Sequence, residues 1–227
     1  MTRVKICGIK DKSHALAAVK AGADFIGLVF APSQRQVAPV EAHEIASVIK
    51  KTGSTTEVVG VFVNTAASEV NRIADFCDLD RVQLSGDESW EYCHEIIKPV
   101  IKAIRVGQQS PKEIYAELST GAKLLSTGRF ITLLDSQVRG KYGGTGLTFD
   151  WNLAQQIAER FPVIIAGGLN PENVAQVIHI VSPWGVDVSS GVETEGIKNI
   201  VKIKAFIEAV RKADASPITA NKARQSE

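Results

Sequence analysis

Short β-branched runs alternate with stretches of helical period along almost the whole of this chain, and no other feature restricts its fold as tightly. Runs suited to strands lie at 3–7, 25–30, 58–63, 81–84, 100–106, 130–134, 162–166 and 186–188. Amphipathic patterns at 11–21, 40–50, 67–76, 87–97, 150–160, 171–180 and 198–211 fall between or after them. Alternation of this kind implies parallel pairing, because each parallel crossover needs a long connection. Eight strands suit a sheet closed on itself better than an open doubly wound one. The expected fold is therefore α/β, a single (β/α)8 TIM barrel, a unit of about 250 residues in its typical form. The barrel is expected over residues 1–212 of the 227. The weakest helical pattern is 110–118, followed by an expected loop at 119–128. The polar stretch 213–227 reads as a frayed tail.

Composition narrows the classes of function. A formal net charge of +1, with basic residues scattered along the chain, leaves no footprint for nucleic acid. No apolar run reaches the roughly 18 residues of a membrane span, and no signal peptide precedes the first strand pattern, so neither nucleic acid nor membrane is an expected partner. Cys7, Cys77 and Cys93 form no Cys-x-x-Cys pair and cannot all pair within the chain, which favours a reducing compartment, most simply the cytoplasm. His14, His43, His94 and His179 lack ligand spacing, so no metal is expected.

In a (β/α)8 barrel the chemistry sits at the C-terminal ends of the strands. That rule singles out Cys7, Arg35, Gln83 with Ser85, Arg105, Asp135 and two glycine-bearing loops. The loops are Ala166-Gly167-Gly168-Leu169 and Gly185-Val186-Asp187-Val188-Ser189-Ser190-Gly191-Val192-Glu193. Small residues at the end of a strand expose backbone N–H groups, and a helix N-terminus behind them favours an anion, so the pair reads as a phosphate cradle. The plainer reading is a pair of tight strand-to-helix turns.

Alternation puts Lys5 and Cys7 on one face of the first strand, and a nearby ammonium favours a thiolate able to act as base or nucleophile. A small buried thiol packing as a hydrophobe fits the same position. Asp135 closes an apolar run, where it would serve either as a general acid with a raised pKa or as a turn cap. Arg35, in a polar loop after the second strand, suits a bidentate grip on a carboxylate, or is a solvated surface charge. The segment Gly140-Lys141-Tyr142-Gly143-Gly144-Thr145-Gly146 reads as a lid over a ligand or as a plain flexible loop.

Several motifs occur in order: Lys5-Ile6-Cys7-Gly8-Ile9, Gly60-Val61-Phe62-Val63, Val82-Gln83-Leu84 and Leu134-Asp135-Ser136. They continue with Gly143-Gly144-Thr145-Gly146, Phe149-Asp150-Trp151, Ala166-Gly167-Gly168-Leu169 and Gly185–Glu193. Together they strongly resemble the phosphoribosylanthranilate isomerases of tryptophan biosynthesis, from Arg3 to about Arg211. The resemblance implies a cofactor-independent Amadori rearrangement of N-(5-phosphoribosyl)anthranilate to its 1-deoxyribulose isomer. It implies Cys7 as general base, Asp135 as general acid and Arg35 as the contact for the anthranilate carboxylate. It places the phosphate site around Gly167, Gly168, Ser189, Ser190 and Gly191, with Asp187 a further substrate-binding residue.

The partner so implied is a small phosphorylated sugar–anthranilate molecule, and the chain is expected as a monomer or weak homodimer. Ser85 stands where the family usually carries histidine, Lys10 replaces a common threonine, and the Arg35 loop reads Ala31-Pro32-Ser33-Gln34-Arg35 rather than the commoner Ser-Pro-Arg. The rival readings are a silent phosphosugar-binding barrel and the related isomerase of histidine biosynthesis. The second would show an internal half-barrel repeat and a carboxylate pair, and this chain offers neither.

Overall fold

A computed structural model describes residues 1–106, 111–125, 129–135 and 151–216. The first half of the chain runs β1 (Arg3–Cys7), α1 (Lys12–Ala21), β2 (Phe25–Val29), α2 (Pro39–Lys51), β3 (Glu57–Phe62), α3 (Ala67–Phe76), β4 (Arg81–Leu84) and α4 (Trp90–Glu95). The second half runs β5 (Val100–Arg105), α5 (Pro111–Leu124), β6 (Phe130–Asp135), α6 (Trp151–Ala158), β7 (Val163–Ala166), α7 (Val174–Val181) and β8 (Gly185–Val188). A single 3₁₀ turn (Ser190–Val192), a short hairpin of β9 (Glu193–Thr194) and β10 (Ile197–Lys198), and α8 (Ile200–Ala215) complete it. Each of β1 to β8 pairs in parallel with the next and β8 returns to β1, so the sheet is a closed (β/α)8 barrel, as the alternation predicts.

Side-chain parity divides the core in two. Phe25, Val59, Ile101, Ile131, Leu133, Ile164 and Ala166 pack together inside the barrel. Their sequence neighbours, among them Ile26, Val58, Val100 and Ile165, pack outward against helical residues such as Ala15, Ile45, Val177 and Phe206. A parallel strand buried on both faces has this two-sided apolar character. The register sets Lys5 opposite Phe25 on one side and Asp187 on the other, and Cys7 opposite Gly27. A Cβ on Gly27 would lie 2.8 Å from the Cys7 sulfur, so the missing side chain there makes room for the thiol.

Local chemistry sets the helix ends. The Asp11 carboxylate accepts the His14 N–H to start α1, and Gly22, at φ 95°, ends it in the left-handed region. The Asn199 side chain accepts from Val201 and Lys202 at the start of α8.

Some segments depart from the sequence reading. The expected loop at 119–128 is helical as far as Leu124. Leu118 and Leu125 are buried, and Trp90 packs so close to Gly121 that a Cβ there would fall 2.5 Å from its ring. Tertiary contact thus overrides a Ser-Thr-Gly signal that reads locally as a turn. α4 is shorter than 87–97 because the Glu88 carboxylate accepts the backbone N–H groups of Asn64 and Gly86, which draws it into the neighbouring loops. α7 starts at Val174 rather than at 171, after a turn in which Asn170 and Asn173 cap each other's backbone N–H groups. α8 continues to Ala215, with Ala213 buried and Asp214 accepting from Thr2, so 213–215 is docked helix rather than tail. Residues 217–227 and the glycine segment 140–146 lie outside the described residues.

Candidate active site

The C-terminal ends of β1, β6, β7 and β8 bring most of the predicted residues together. Lys5 is fully buried in the barrel, and its Nζ donates to Asp187 Oδ1 at 3.0 Å, pairing the first strand with the last. Burial alone would push the Lys5 ammonium down, but Asp187 and Cys7 outweigh it and hold the group above its ordinary range. Cys7, one residue pair further along β1, is 8% exposed. Burial pushes its thiol above the usual range, with Lys5 pulling the other way and Asp187 adding to the rise. The ammonium acts in the direction foreseen from sequence; desolvation is larger, so the thiol is the resting form.

Asp135 closes β6 directly opposite Arg105 of β5. Burial raises its carboxyl above the ordinary range, Asp187 raises it further, and Arg105 opposes both. The mouth of the barrel therefore holds a carboxyl whose pKa is raised by burial at the end of β6 and a buried thiol at the end of β1, group types suited to delivering one proton and removing another. Arg105 also donates to the Ser85 carbonyl at 2.8 Å. Gln83 points into the barrel, its Nε2 donating to Ser85 Oγ at 3.0 Å, while its buried Oε1 has no hydrogen-bond partner among the described residues.

The two glycine-bearing loops touch. A Cβ on Gly191 would sit 1.8 Å from the Leu169 carbonyl oxygen and 3.0 Å from Asn170 Cβ, so only glycine lets the loop after β8 lie against the loop after β7. Gly167 and Gly168 take φ values of 91° and 64°, and among the described residues no atom lies within 4 Å of a Cβ placed on Gly168. Gly8, at φ 78°, brings a third segment to the same place: a Cβ there would meet Arg35 Cδ at 2.5 Å and Ser189 Oγ at 3.2 Å.

Arg35 is no solitary surface charge. Its Nε and Nη2 each donate to a carboxylate oxygen of Glu193 at 2.7 Å, a bidentate pair that fixes the guanidinium plane. Lys198, also buried, donates to the same carboxylate at 2.6 Å and to the Ser189 carbonyl at 2.9 Å. Neither Glu193 nor Lys198 stood out in the sequence as a site residue. The available signal was a glutamate two residues after the Ser-Ser-Gly motif and a lysine five residues on, a pattern that reads equally well as solvated charge.

Among the described residues no cluster of three or more His, Cys, Asp or Glu could hold a metal ion, and no helix is long and apolar enough to cross a membrane.

Comparisons with known proteins agree with this geometry. The N-(5'-phosphoribosyl)anthranilate (PRA) isomerase family model matches residues 4–209. The N-(5'-phosphoribosyl)anthranilate isomerase of Dehalococcoides mccartyi is 48% identical over 219 residues, 96% of this chain and 100% of that one. The crystal structure of phosphoribosyl anthranilate isomerase from Thermotoga maritima superposes with a TM-score of 0.81 at 39% identity, covering 93% of this chain and all (100%) of that one. A phosphoribosyl anthranilate isomerase solved in complex with reduced 1-(o-carboxyphenylamino)-1-deoxyribulose 5-phosphate gives 0.77 at 37% identity, again over 93% and 100% of the two chains. With the barrel closed, the thiol and the carboxyl at its mouth and two glycine loops in contact beside them, the chain belongs to the N-(5'-phosphoribosyl)anthranilate isomerase family.

Proposed function

We propose that the barrel mouth converts N-(5'-phosphoribosyl)anthranilate into 1-(2-carboxyphenylamino)-1-deoxyribulose 5-phosphate in tryptophan biosynthesis, with Asp135 as general acid and Cys7 as general base. The observation that carries this reading is the shared interior position of a carboxyl held toward its acid form and a buried thiol, beside two glycine loops in mutual contact. Asp135 protonates the furanose ring oxygen, the C–O bond breaks, and a Schiff base forms with the anthranilate nitrogen. The cationic imine acidifies the hydrogen on the neighbouring ribose carbon, and the Cys7 thiolate removes it. The enolamine then tautomerises to the ketone. Hydrogen moves within one molecule, so the reaction itself calls for no cofactor.

Asp187, paired with Lys5, faces the substrate amine and supports the developing cation. Backbone N–H groups of Gly167, Gly168, Ser189, Ser190 and Gly191 receive the phosphate, and Arg35, already oriented by Glu193, meets the anthranilate carboxylate. Three free, buried thiols at Cys7, Cys77 and Cys93 suit a reducing compartment, most simply the cytoplasm, and the molecule works as a monomer or weak homodimer.

The test is the loss of anthranilate-type fluorescence from freshly generated phosphoribosylanthranilate. Cys7→Ala and Asp135→Asn are each expected to lower kcat by about 10²–10⁴, the usual contribution of a positioned acid or base, while circular dichroism stays unchanged. Near-normal turnover in either variant overturns that role. Phosphate binding with no turnover above the spontaneous rate would instead identify a silent binder.

A further inference from the structure

One carboxylate joins the two loops that the isomerase reading assigns to opposite ends of the substrate. Glu193 is buried, its side chain 6% exposed, and accepts from two cations, Arg35 at both oxygens and Lys198 at Oε1. On one side Arg35 is held by two hydrogen bonds of 2.7 Å. On the other, Lys198 Nζ lies 2.6 Å from Oε1 and donates onward to Ser189 O at 2.9 Å and Ser189 Oγ at 3.3 Å. Lys198 is the cross-strand partner of Glu193 in the β9–β10 hairpin, so the pairing is built into the backbone register.

Two geometric consequences follow. A guanidinium clamped along one edge by a carboxylate loses its freedom to rotate, and its plane is set before any ligand arrives. A carbonyl held by an ammonium fixes the whole planar peptide to which it belongs, here Ser189–Ser190. The N–H on the far side of that peptide is the Ser190 donor assigned above to the phosphate.

We infer that Glu193 is a positioning residue that couples the two ends of the substrate site: it orients Arg35 toward the anthranilate carboxylate and, through Lys198, the Ser189–Ser190 peptide toward the phosphate. The inference rests on the isomerase reading for what each end binds. The competing role is a staple that merely holds the small hairpin together. A staple affects stability alone, whereas a positioning residue affects the binding of both ends.

The test is Glu193→Gln, which keeps the size of the side chain and removes its charge. The readouts are steady-state kinetics, calorimetric titration with inorganic phosphate, and thermal unfolding. KM is expected to rise roughly tenfold or more, with kcat changed much less, and the Kd for inorganic phosphate to weaken by a similar factor, because misplaced binding groups lose affinity steeply. A lower Tm with unchanged KM and unchanged phosphate Kd reduces Glu193 to a staple and overturns the inference.

Should Glu193→Gln not fold, Arg35→Lys, Lys198→Met and the double variant supply the same answer. Coupling through Glu193 makes the double effect on KM differ from the product of the single effects by roughly tenfold. Effects that multiply to within about twofold refute it, since independent sites are additive in free energy. A wild-type protein that binds phosphate without turnover defeats the isomerase reading alone, and the phosphate titration of Glu193→Gln still decides the coupling. A wild-type protein that does neither defeats both.

Discussion

Gly191→Ala probes the contact between the loops after β7 and β8 directly. The new Cβ would lie 1.8 Å from the Leu169 carbonyl oxygen, where real Cβ atoms do not approach within 3.0 Å, so the two loops must separate by at least about 1.2 Å, the difference between those distances. Both obstructing atoms nearest the site, the Leu169 oxygen and carbon, belong to the backbone, so no side chain can rotate out of the way. Overpacking of this kind costs about 1–3 kcal/mol. At roughly 2–4 °C per kcal/mol for a chain of this size, Tm should fall by about 2–12 °C. A displacement near 1 Å in a group that positions substrate lowers kcat/KM by about 10²-fold.

Two further glycines separate strain from crowding. Gly168→Ala meets open space but keeps φ at 64°, and Gly53→Ala does the same at φ 70°, on the loop between α2 and β3. Each should lose about 1–2 kcal/mol from left-handed strain. Gly53→Ala should leave the kinetics untouched, whereas Gly168→Ala should raise KM. The assay is turnover by fluorescence decay alongside thermal unfolding of the three variants. Wild-type KM and Tm in Gly191→Ala would refute the loop contact. A KM rise in Gly53→Ala matching that of Gly191→Ala would show that general destabilisation, not loop displacement, is being measured.

Other expectations concern the acid, the base and the core. Under the proposed roles catalysis needs Asp135 protonated and Cys7 ionised, yet burial raises both, leaving the thiol the weaker acid of the two; the active form is then a minority state whose population is level between the two pKa values. The pH profile of kcat/KM should therefore rise on the acid side to the Asp135 value and fall on the alkaline side at the Cys7 value. Asp135→Glu should displace the acid limb alone, and a shift of the alkaline limb instead would reverse the assignment. Asp187→Asn leaves the fully buried Lys5 ammonium without its partner and should cost about 3–5 kcal/mol in urea unfolding; a loss under about 1 kcal/mol would mean that the pair is not buried as described. Gly121→Ala, a change that favours an exposed helix by about 1 kcal/mol, should lower Tm here because the new methyl meets the Trp90 ring at 2.5 Å, with kcat unchanged; a higher Tm would contradict that contact.

The periodicities of the chain carry the barrel because a parallel strand covered on both faces and an amphipathic helix each leave a pattern several residues long. Parity within β1 was enough to set Lys5 and Cys7 on one face. The abrupt ends of β7 and β8 at small residues were enough to mark the two loops. What stayed hidden lies in contacts without a period. β9 and β10 are two residues each, too short for any alternation to register, and they create the Glu193–Lys198 pair. Lys102 and Glu88 look like surface charges in the sequence, yet they meet at 3.4 Å behind the barrel wall with side chains 5% and 2% exposed. The last turns of α5 depend on the fit of Trp90 against Gly121, a match between residues far apart in the chain.

Barrel closure also has a temporal side. The partners Lys5 and Asp187 are 182 residues apart in sequence, and Thr2 meets Asp214 across 212. At about 5–20 residues per second of synthesis, Lys5 leaves the ribosome roughly ten to forty seconds before the residue that neutralises it. Throughout that interval its ammonium must stay in water, since burying it alone would cost several kcal/mol. A nascent sheet of six or seven strands therefore cannot close around β1 at little cost, and the charge that later sits paired inside the barrel first acts as a brake on premature collapse.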